Sequence, residues 1–485
     1  MCRLGLIGAL LMTFAACSRD PATRTREYIA SGDAFARAGK YREASVEYRN
    51  AIKITPTSAE AHEKLADAAA RAQDPQTAAG AILRLADLKP TDPVAQIRAA
   101  SLLLLAGRYE DARDRAMMAV ESDGDDANAH LLLAQALAAL HDATRSENEL
   151  REAVRLAPDA PEPLVALGSF HWAAGKTADA EAELRKAVAL DPQHVAANQA
   201  LALFFMATGR PADAEPLWRV VSASPKGLPF ALVDYLVATN RLADAERALG
   251  DLIAREATRD AASMRLAAVH YARGQREKAH VTVRALLQRN PRSVPALLLQ
   301  ARFFRAEQRL DEALRATQAA ADADPKNAGA GTMAGLTLEA LNRRDEAQRA
   351  FERALEANPR AGVAANNLAW LYQEQGRLDD ALRWALVAKD ELRNMPEAKD
   401  TLGWIRMRRE EYGDALPLLS AIVEARPDNA LYRYHLGYAY WKTGATMRAQ
   451  EQLQRALASK NSFAARADAE RVLGEIEANA HNASR

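Results

Sequence analysis

The sequence predicts an all-α chain, a solenoid of about thirteen helix-turn-helix units, and three regularities predict it. A small residue recurs about every 34 residues, an alanine follows twelve residues later in all but one unit, and a proline closes most units. Such a period means that each unit is one supersecondary element, unable to bury its apolar face alone and stacked on its neighbours. At 485 residues the chain is too long for one ordinary core and suits such an array.

The first element stands apart from the repeats. Leu4 to Ala16 is almost wholly apolar after a weakly basic Met1-Cys2-Arg3. Thirteen residues are too few to span a bilayer but suit a signal-peptide core, so 1–16 is read as a signal peptide. Ala15-Ala16 directly before Cys17 resembles a bacterial lipobox, with Phe14 standing where leucine is usual. The resemblance implies cleavage before Cys17, a lipidated tether over 17–24, and acyl chains, palmitate among them, sufficient for stable anchoring. Ser18 is not the aspartate that holds some lipoproteins at the inner membrane, which implies the outer membrane, facing the periplasm, in a Gram-negative source. The alternative is an ordinary secretory signal with an incidental cysteine. Cys2 lies in the segment to be removed, so the mature chain has no disulfide to make.

Units begin at Thr25, Ala59, Pro93, Ala127, Pro161, Val195, Lys226, Asp260, Val294, Ala328, Gly362, Pro396 and Ala430. The sixth ends at Pro225, three residues short. Counted from these starts, position 8 is glycine or alanine in twelve of thirteen units, Val233 being the exception, and position 20 is alanine in all but Ser146. Glycine inside a helix costs about 1 kcal/mol against alanine. Gly403, in "DTLGW", is therefore expected where two helices approach too closely for a side chain. Positions 4, 7, 8 and 11 form one apolar stripe of a first helix, as in Leu164, Leu167, Gly168 and His171. A turn follows near position 15, often glycine and a basic residue, as in Gly376-Arg377. A second helix carries positions 20, 24 and 27 and stops at a proline at position 32, as at Pro359 and Pro427.

This pattern resembles the tetratricopeptide repeat (TPR), over residues 25–463, with Tyr28, His62, Leu164 and Arg433 replacing the family's tryptophan at position 4. The resemblance implies a right-handed superhelix whose inner surface is lined by the first helices. The shortened sixth unit and the seventh, which lacks glycine and proline, suggest two arrays, 25–225 and 226–463. Residues 464–485 are expected to form a capping helix and polar tail.

Function is approached by exclusion first. Lys+Arg and Asp+Glu both number 64, so nothing draws the chain to nucleic acid in bulk. Gly175-Lys176-Thr177 lacks the glycine of a phosphate loop, since Phe170 stands in its place, and Ser122 to Asn128 lacks calcium-loop spacing. The histidines share no metal spacing; His62 and His130 at position 4, and His171 and His270 at position 11, read as core. No catalytic residues, metal site or cofactor are expected, and the chain is read as a non-enzymatic scaffold.

One feature points to a ligand. At the inner-surface position 9, the last three units carry Trp370, Trp404 and Tyr438. Position 5 there reads Asn366, Asp400 and Tyr434, and position 12 reads Gln373, Met407 and Trp441. These nine are either a groove for a peptide or a sugar ring, or filling between neighbouring first helices. The groove reading expects that Trp370 and Trp404 can be changed to alanine with unfolding nearly unchanged. "NNLAW" (366–370) and "DTLGW" (400–404) also resemble TPR lipoproteins of exosortase (PEP-CTERM) exopolysaccharide systems, implying export or sorting proteins and polysaccharide as partners. Two other readings stay open, a pilus or secretin assembly lipoprotein and a glycan-binding module.

Overall fold

A computed structural model of the chain describes residues 20–459, 463 and 465–483. The signal segment and Cys17 lie outside the described residues. Among those described, all regular structure is helical, 27 helices that follow in chain order as thirteen helix-turn-helix repeats and a final single helix.

The chain divides into two compact units, one ending at Thr239 and one beginning at Asn240. The first holds α1 (Pro21–Arg37), α2 (Tyr41–Ile54), α3 (Ala59–Arg71), α4 (Pro75–Leu88), α5 (Pro93–Leu105), α6 (Tyr109–Ser122), α7 (Ala127–Ala139), α8 (Ala143–Leu156), α9 (Pro161–Ala173), α10 (Thr177–Leu190), α11 (Val195–Ala207), α12 (Pro211–Ala223) and α13 (Ala231–Ala238). The second holds α14 (Leu242–Ala254), α15 (Arg259–Ala272), α16 (Arg276–Arg289), α17 (Val294–Ala306), α18 (Leu310–Ala323), α19 (Ala328–Ala340), α20 (Arg344–Ala357), α21 (Gly362–Glu374), α22 (Leu378–Glu391), α23 (Pro396–Arg408), α24 (Tyr412–Ala425), α25 (Ala430–Lys442), α26 (Thr446–Leu457) and α27 (Arg466–Ala483).

The division falls between the two helices of the seventh repeat, whereas the sequence suggested 225/226. The seventh repeat's first helix, α13, has only eight residues and is tied back to α12: Ser222 Oγ accepts from Leu232 N at 2.7 Å, and Tyr235 Oη donates to Pro211 O at 2.9 Å.

The close approach at position 8 is made against position 24 of the same hairpin. A Cβ built on Gly403 would lie 2.9 Å from Leu419 Cδ2, and one on Gly335 would enter the Phe351 ring. Gly32 faces Tyr48, Gly168 faces Leu184 and Gly437 faces Leu453 in the same way. Where position 24 is small, as at Ala116, Thr317 and Ala385, position 8 is alanine. Ile82, Leu150 and Trp218 depart from this trade, each sharing its hairpin with an alanine at position 8, Ala66, Ala134 and Ala202, and in the seventh repeat Leu249 stands with Val233. Position 20 packs on the backbone of position 8: the buried Ser146 hydroxyl donates to Ala134 O at 2.9 Å.

Every hairpin turns at position 15 through a left-handed residue. Seven are glycines, Gly376 among them at φ 77°, and six are not: Gln73, His141, Asn240, Gln308, Asn342 and Glu410. Arg377 N donates to Tyr372 O at 2.9 Å and Gly376 N to Gln373 O at 3.1 Å, the pair of bonds of a Schellman cap.

Position 4, where the repeat pattern is broken, clips one hairpin to the link before it. His62 Nε2 meets Pro56 O at 3.1 Å, His130 Nε2 meets Gly124 O at 3.0 Å, and Asn198 Nδ2 donates to Pro192 O at 3.0 Å. A carbonyl only accepts, so in both imidazoles Nε2 donates here. These side chains satisfy carbonyls of the link, one residue past the cap of the preceding helix. At the far end, α27 covers α26 with Ala469, Val472 and Ile476, all buried.

Candidate functional site

The nine inner-face residues lie on three neighbouring first helices: Asn366, Trp370 and Gln373 on α21, Asp400, Trp404 and Met407 on α23, and Tyr434, Tyr438 and Trp441 on α25. The 34-residue spacing sets them side by side because each hairpin stacks on the next in the same register. The structure brings their aromatic members into one cluster centred on Trp404. The Trp404 ring lies 5.7 Å from Tyr434 and 5.5 Å, edge-on, from Tyr438; Tyr438 in turn meets Trp441 at 5.3 Å.

At the heart of the cluster is a residue that the sequence reading did not single out. His435 is 1% exposed; its ring stacks on Trp404 at 4.1 Å and 24°. Its Nδ1 lies 2.8 and 3.0 Å from the two carboxylate oxygens of Asp400, itself 4% exposed. Because both groups are buried and joined, neither is free to meet a ligand, and the pair fixes α23 against α25. Its sequence signal was an acid and a histidine 35 residues apart, one repeat plus one, which becomes visible only once first helices are known to be neighbours.

The burial splits the nine. Gln373, Asp400, Trp404, Met407 and Tyr434 are buried, while Asn366, Trp370, Tyr438 and Trp441 are half-buried. Burial also drives the Tyr434 hydroxyl well above its usual titration range, with the Asp468 carboxylate adding to it. The buried five form a floor and the half-buried four a rim. Trp404, 8% exposed, is a core residue, so the expectation that it can be replaced without effect on unfolding is corrected. On the rim, the Lys442 ammonium lies 4.7 Å from the Trp441 ring. Asn366 Oδ1 is buried without a hydrogen-bond partner among the described residues.

Two further features of the second unit's first helices were not legible in the sequence. A cavity of about 720 Å3 opens between α15 and α17, lined by Met264, Ala268, Pro295, Leu298 and Arg302. These hold positions 2, 5 and 9, the positions expected to line the inner surface. Beyond it, Glu339 on α19 is held protonated up to about 7 by burial, with the Glu374 carboxylate adding to it. Arg305 on α17 is pushed down by its own burial, and its Nε has no hydrogen-bond partner among the described residues.

The core histidines are accounted for by acids and carbonyls. His171 Nε2 faces Glu147 at 3.4 Å and His270 Nε2 faces Glu246 at 3.3 Å. Glu147 is held down at about 2 by Lys176 and Arg151. Gly175 and Lys176 form the ordinary α9–α10 turn, with Lys176 Nζ on Glu147 at 2.7 Å. Among the described residues no group of three His, Cys, Asp or Glu is placed to hold a metal, and no helix is long and apolar enough to cross a membrane.

Comparison with known proteins agrees with this architecture. The tetratricopeptide-repeat pattern matches residues 97–161, 264–328, 332–396 and 401–461, more than half of the chain, a second such pattern matches 171–223, and a TPR-repeat pattern matches 32–72. No curated protein matches. Among solved structures, the chain is similar to the APC/C hetero-tetramer Cut9-Hcn1, at 13% identity over 94% of this chain and 98% of that one, with a TM-score of 0.43. It is similar to YrrB, described as a TPR protein with an unusual peptide-binding site, at 22% identity over 37% and 92%, with a TM-score of 0.33. It is also similar to the Pseudomonas aeruginosa pilF structure, at 15% identity over 45% and 99%, with a TM-score of 0.35. With helix-turn-helix repeats at a 34-residue period, and the repeat pattern matching more than half of the chain, the chain belongs to the tetratricopeptide-repeat family.

Proposed function

We propose that this protein is a lipid-anchored scaffold of the cell envelope that holds another protein on the first-helix face of its second unit and performs no chemistry of its own. The observation that carries the binding part is the rim of Asn366, Trp370, Tyr438 and Trp441 over a buried floor. Half-buried aromatic rings on a rigid base offer large contact area at low entropic cost. Tethering through Cys17 is supported by the apolar segment and small pair before it. Within the envelope, the repeat motifs at 366–370 and 400–404 favour an export or sorting system that handles exopolysaccharide.

The binding part is tested by changing the rim alone. Proteins retained by the native chain in detergent-solubilised membranes are compared with those retained by a Trp370→Ala/Trp441→Ala variant. Loss of the same species with thermal unfolding preserved supports the reading; full retention by the variant refutes it. Anchoring is tested separately: Cys17→Ser should abolish palmitate labelling and release the protein from membranes; labelling that persists would place the lipid elsewhere, and a native chain that takes no label refutes the anchor.

A further inference from the structure

The second helices of the ninth, tenth and eleventh repeats carry an arginine at the same position, 22: Arg315 on α18, Arg349 on α20 and Arg383 on α22. In the same three repeats the arginine at position 16 is in each case joined to the acid three residues on, Arg309 to Glu312, Arg343 to Glu346 and Arg377 to Asp380. Local acids are therefore available to guanidinium groups here, and are used. Arg315 and Arg349 feel Glu312 and Glu346 only through space, without a direct pair. Their side chains, and that of Arg353, make no ion pair or hydrogen bond among the described residues, and all three are exposed. Arg383, the third rung, lies over the Trp384 ring at 4.7 Å.

Arg315, Arg349 and Arg353 border one cleft of about 440 Å3 between α18 and α20, together with Asp311, Arg343 and Glu346. Arg349 and Arg353 stand one helical turn apart on the same face, a like-charge arrangement that weakens a helix. Glu346 is engaged by Arg343 at 2.7 Å. The cleft thus holds four guanidinium groups, Arg315, Arg343, Arg349 and Arg353, against the two carboxylates of Asp311 and Glu346. A surplus of two positive charges, on planar donors each able to grip two oxygens, matches a doubly charged oxyanion better than a carboxylate or chloride.

We propose that the α18–α20 cleft is a binding site for a phosphoryl dianion, either free phosphate or the phosphate head of a larger molecule. It lies on the second helices, away from the aromatic rim on the first helices, and is independent of the binding proposed above. Bound phosphate would screen the Arg349–Arg353 repulsion and satisfy donors that the protein leaves open.

The full chain is titrated with inorganic phosphate and with glycerol phosphate by calorimetry and thermal unfolding, at ionic strength held constant with chloride and with acetate as the monoanion control. Flotation with phosphatidate vesicles, against phosphatidylcholine alone, distinguishes a lipid head from a free ion. Either phosphate ligand should raise Tm where acetate does not, and each of Arg315→Gln, Arg349→Gln and Arg353→Gln should weaken binding by about tenfold, as loss of a charge-assisted bond does. Without phosphate, Arg353→Gln should itself raise Tm, because it removes the repulsion. Capture by phosphatidate vesicles that is lost in the triple variant, without binding of free phosphate, supports a lipid head. Equal response to acetate, no response to any phosphate, or a response unchanged in the triple variant overturns the proposal.

Discussion

At the scale of single residues, burial decides what each group can do. Phe351 is wholly buried against Gly335, so Gly335→Ala should cost about 1–3 kcal/mol by overpacking, despite alanine's better helix propensity. Adding Phe351→Leu in the same chain should recover part of the loss, read from urea midpoints. His435→Ala strands the Asp400 carboxylate in a buried site and should cost about 3–5 kcal/mol, while Asp400→Asn/His435→Ala should cost less. Trp404→Ala belongs with these core changes, whereas Trp370→Ala, on the half-buried rim, should cost less. Glu339 gives the pH dependence. Its folded pKa is raised to about 7 from the 4.5 of an ordinary glutamate, with Arg305, Arg344 and Glu374 facing it. The unfolded chain releases this proton first, so the group withdraws stability as pH rises from about 4.5 to about 7 and the loss is complete above that. Glu339→Gln should therefore raise Tm more at pH 8 than at pH 5, measured by thermal melts; equal shifts at both pH values would contradict this.

At the scale of elements, the hairpins were legible because their constraints fall on residue identity. A glycine facing Leu419, an alanine at the helix crossing and a proline at the stop each leave a mark at a fixed spacing. The left-handed turn residue leaves a weaker one, since Gln73, Gln308 and Glu410 occupy it where glycine would relieve the strain. Glu410→Gly should stabilise the second unit by about 1 kcal/mol, and Asn342→Gly by less, because asparagine already tolerates this conformation. A chemical-denaturation series would show the order. What the sequence concealed are relations between hairpins: the Asp400–His435 pair, the position-4 clips to link carbonyls, and the burial of Trp404. Those depend on which faces meet after stacking, and a residue's type does not record that. The aromatic spacing at 370, 404 and 438 was visible, but whether the rings face solvent or one another was decided by His435 between them.

At the scale of the whole molecule, stability is a chain of nearest-neighbour interfaces, so damage should stay local. Ending the chain after Ser459 removes α27 and uncovers the apolar face of α26. The second unit should then unfold at lower denaturant, while the transition of the first unit, ending at Thr239, is unchanged. Site-specific fluorescence, with a probe in each unit, separates the two; a matching shift in both would refute locality. The pairing of position 8 with position 24 has a consequence for how such an array can change over generations. Enlarging one partner alone creates a clash, and shrinking the other alone leaves a hole. A hairpin whose Gly335 and Phe351 were exchanged for Ala301 and Thr317 would therefore keep its packing best by changing at both places, although Ala134–Leu150 and Ala202–Trp218 show that alanine can sit beside a large partner. Copies that began identical would drift apart in linked steps, and recombination that cuts between the two helices of a hairpin would be selected against, while cuts in the links between hairpins would leave each matched couple whole.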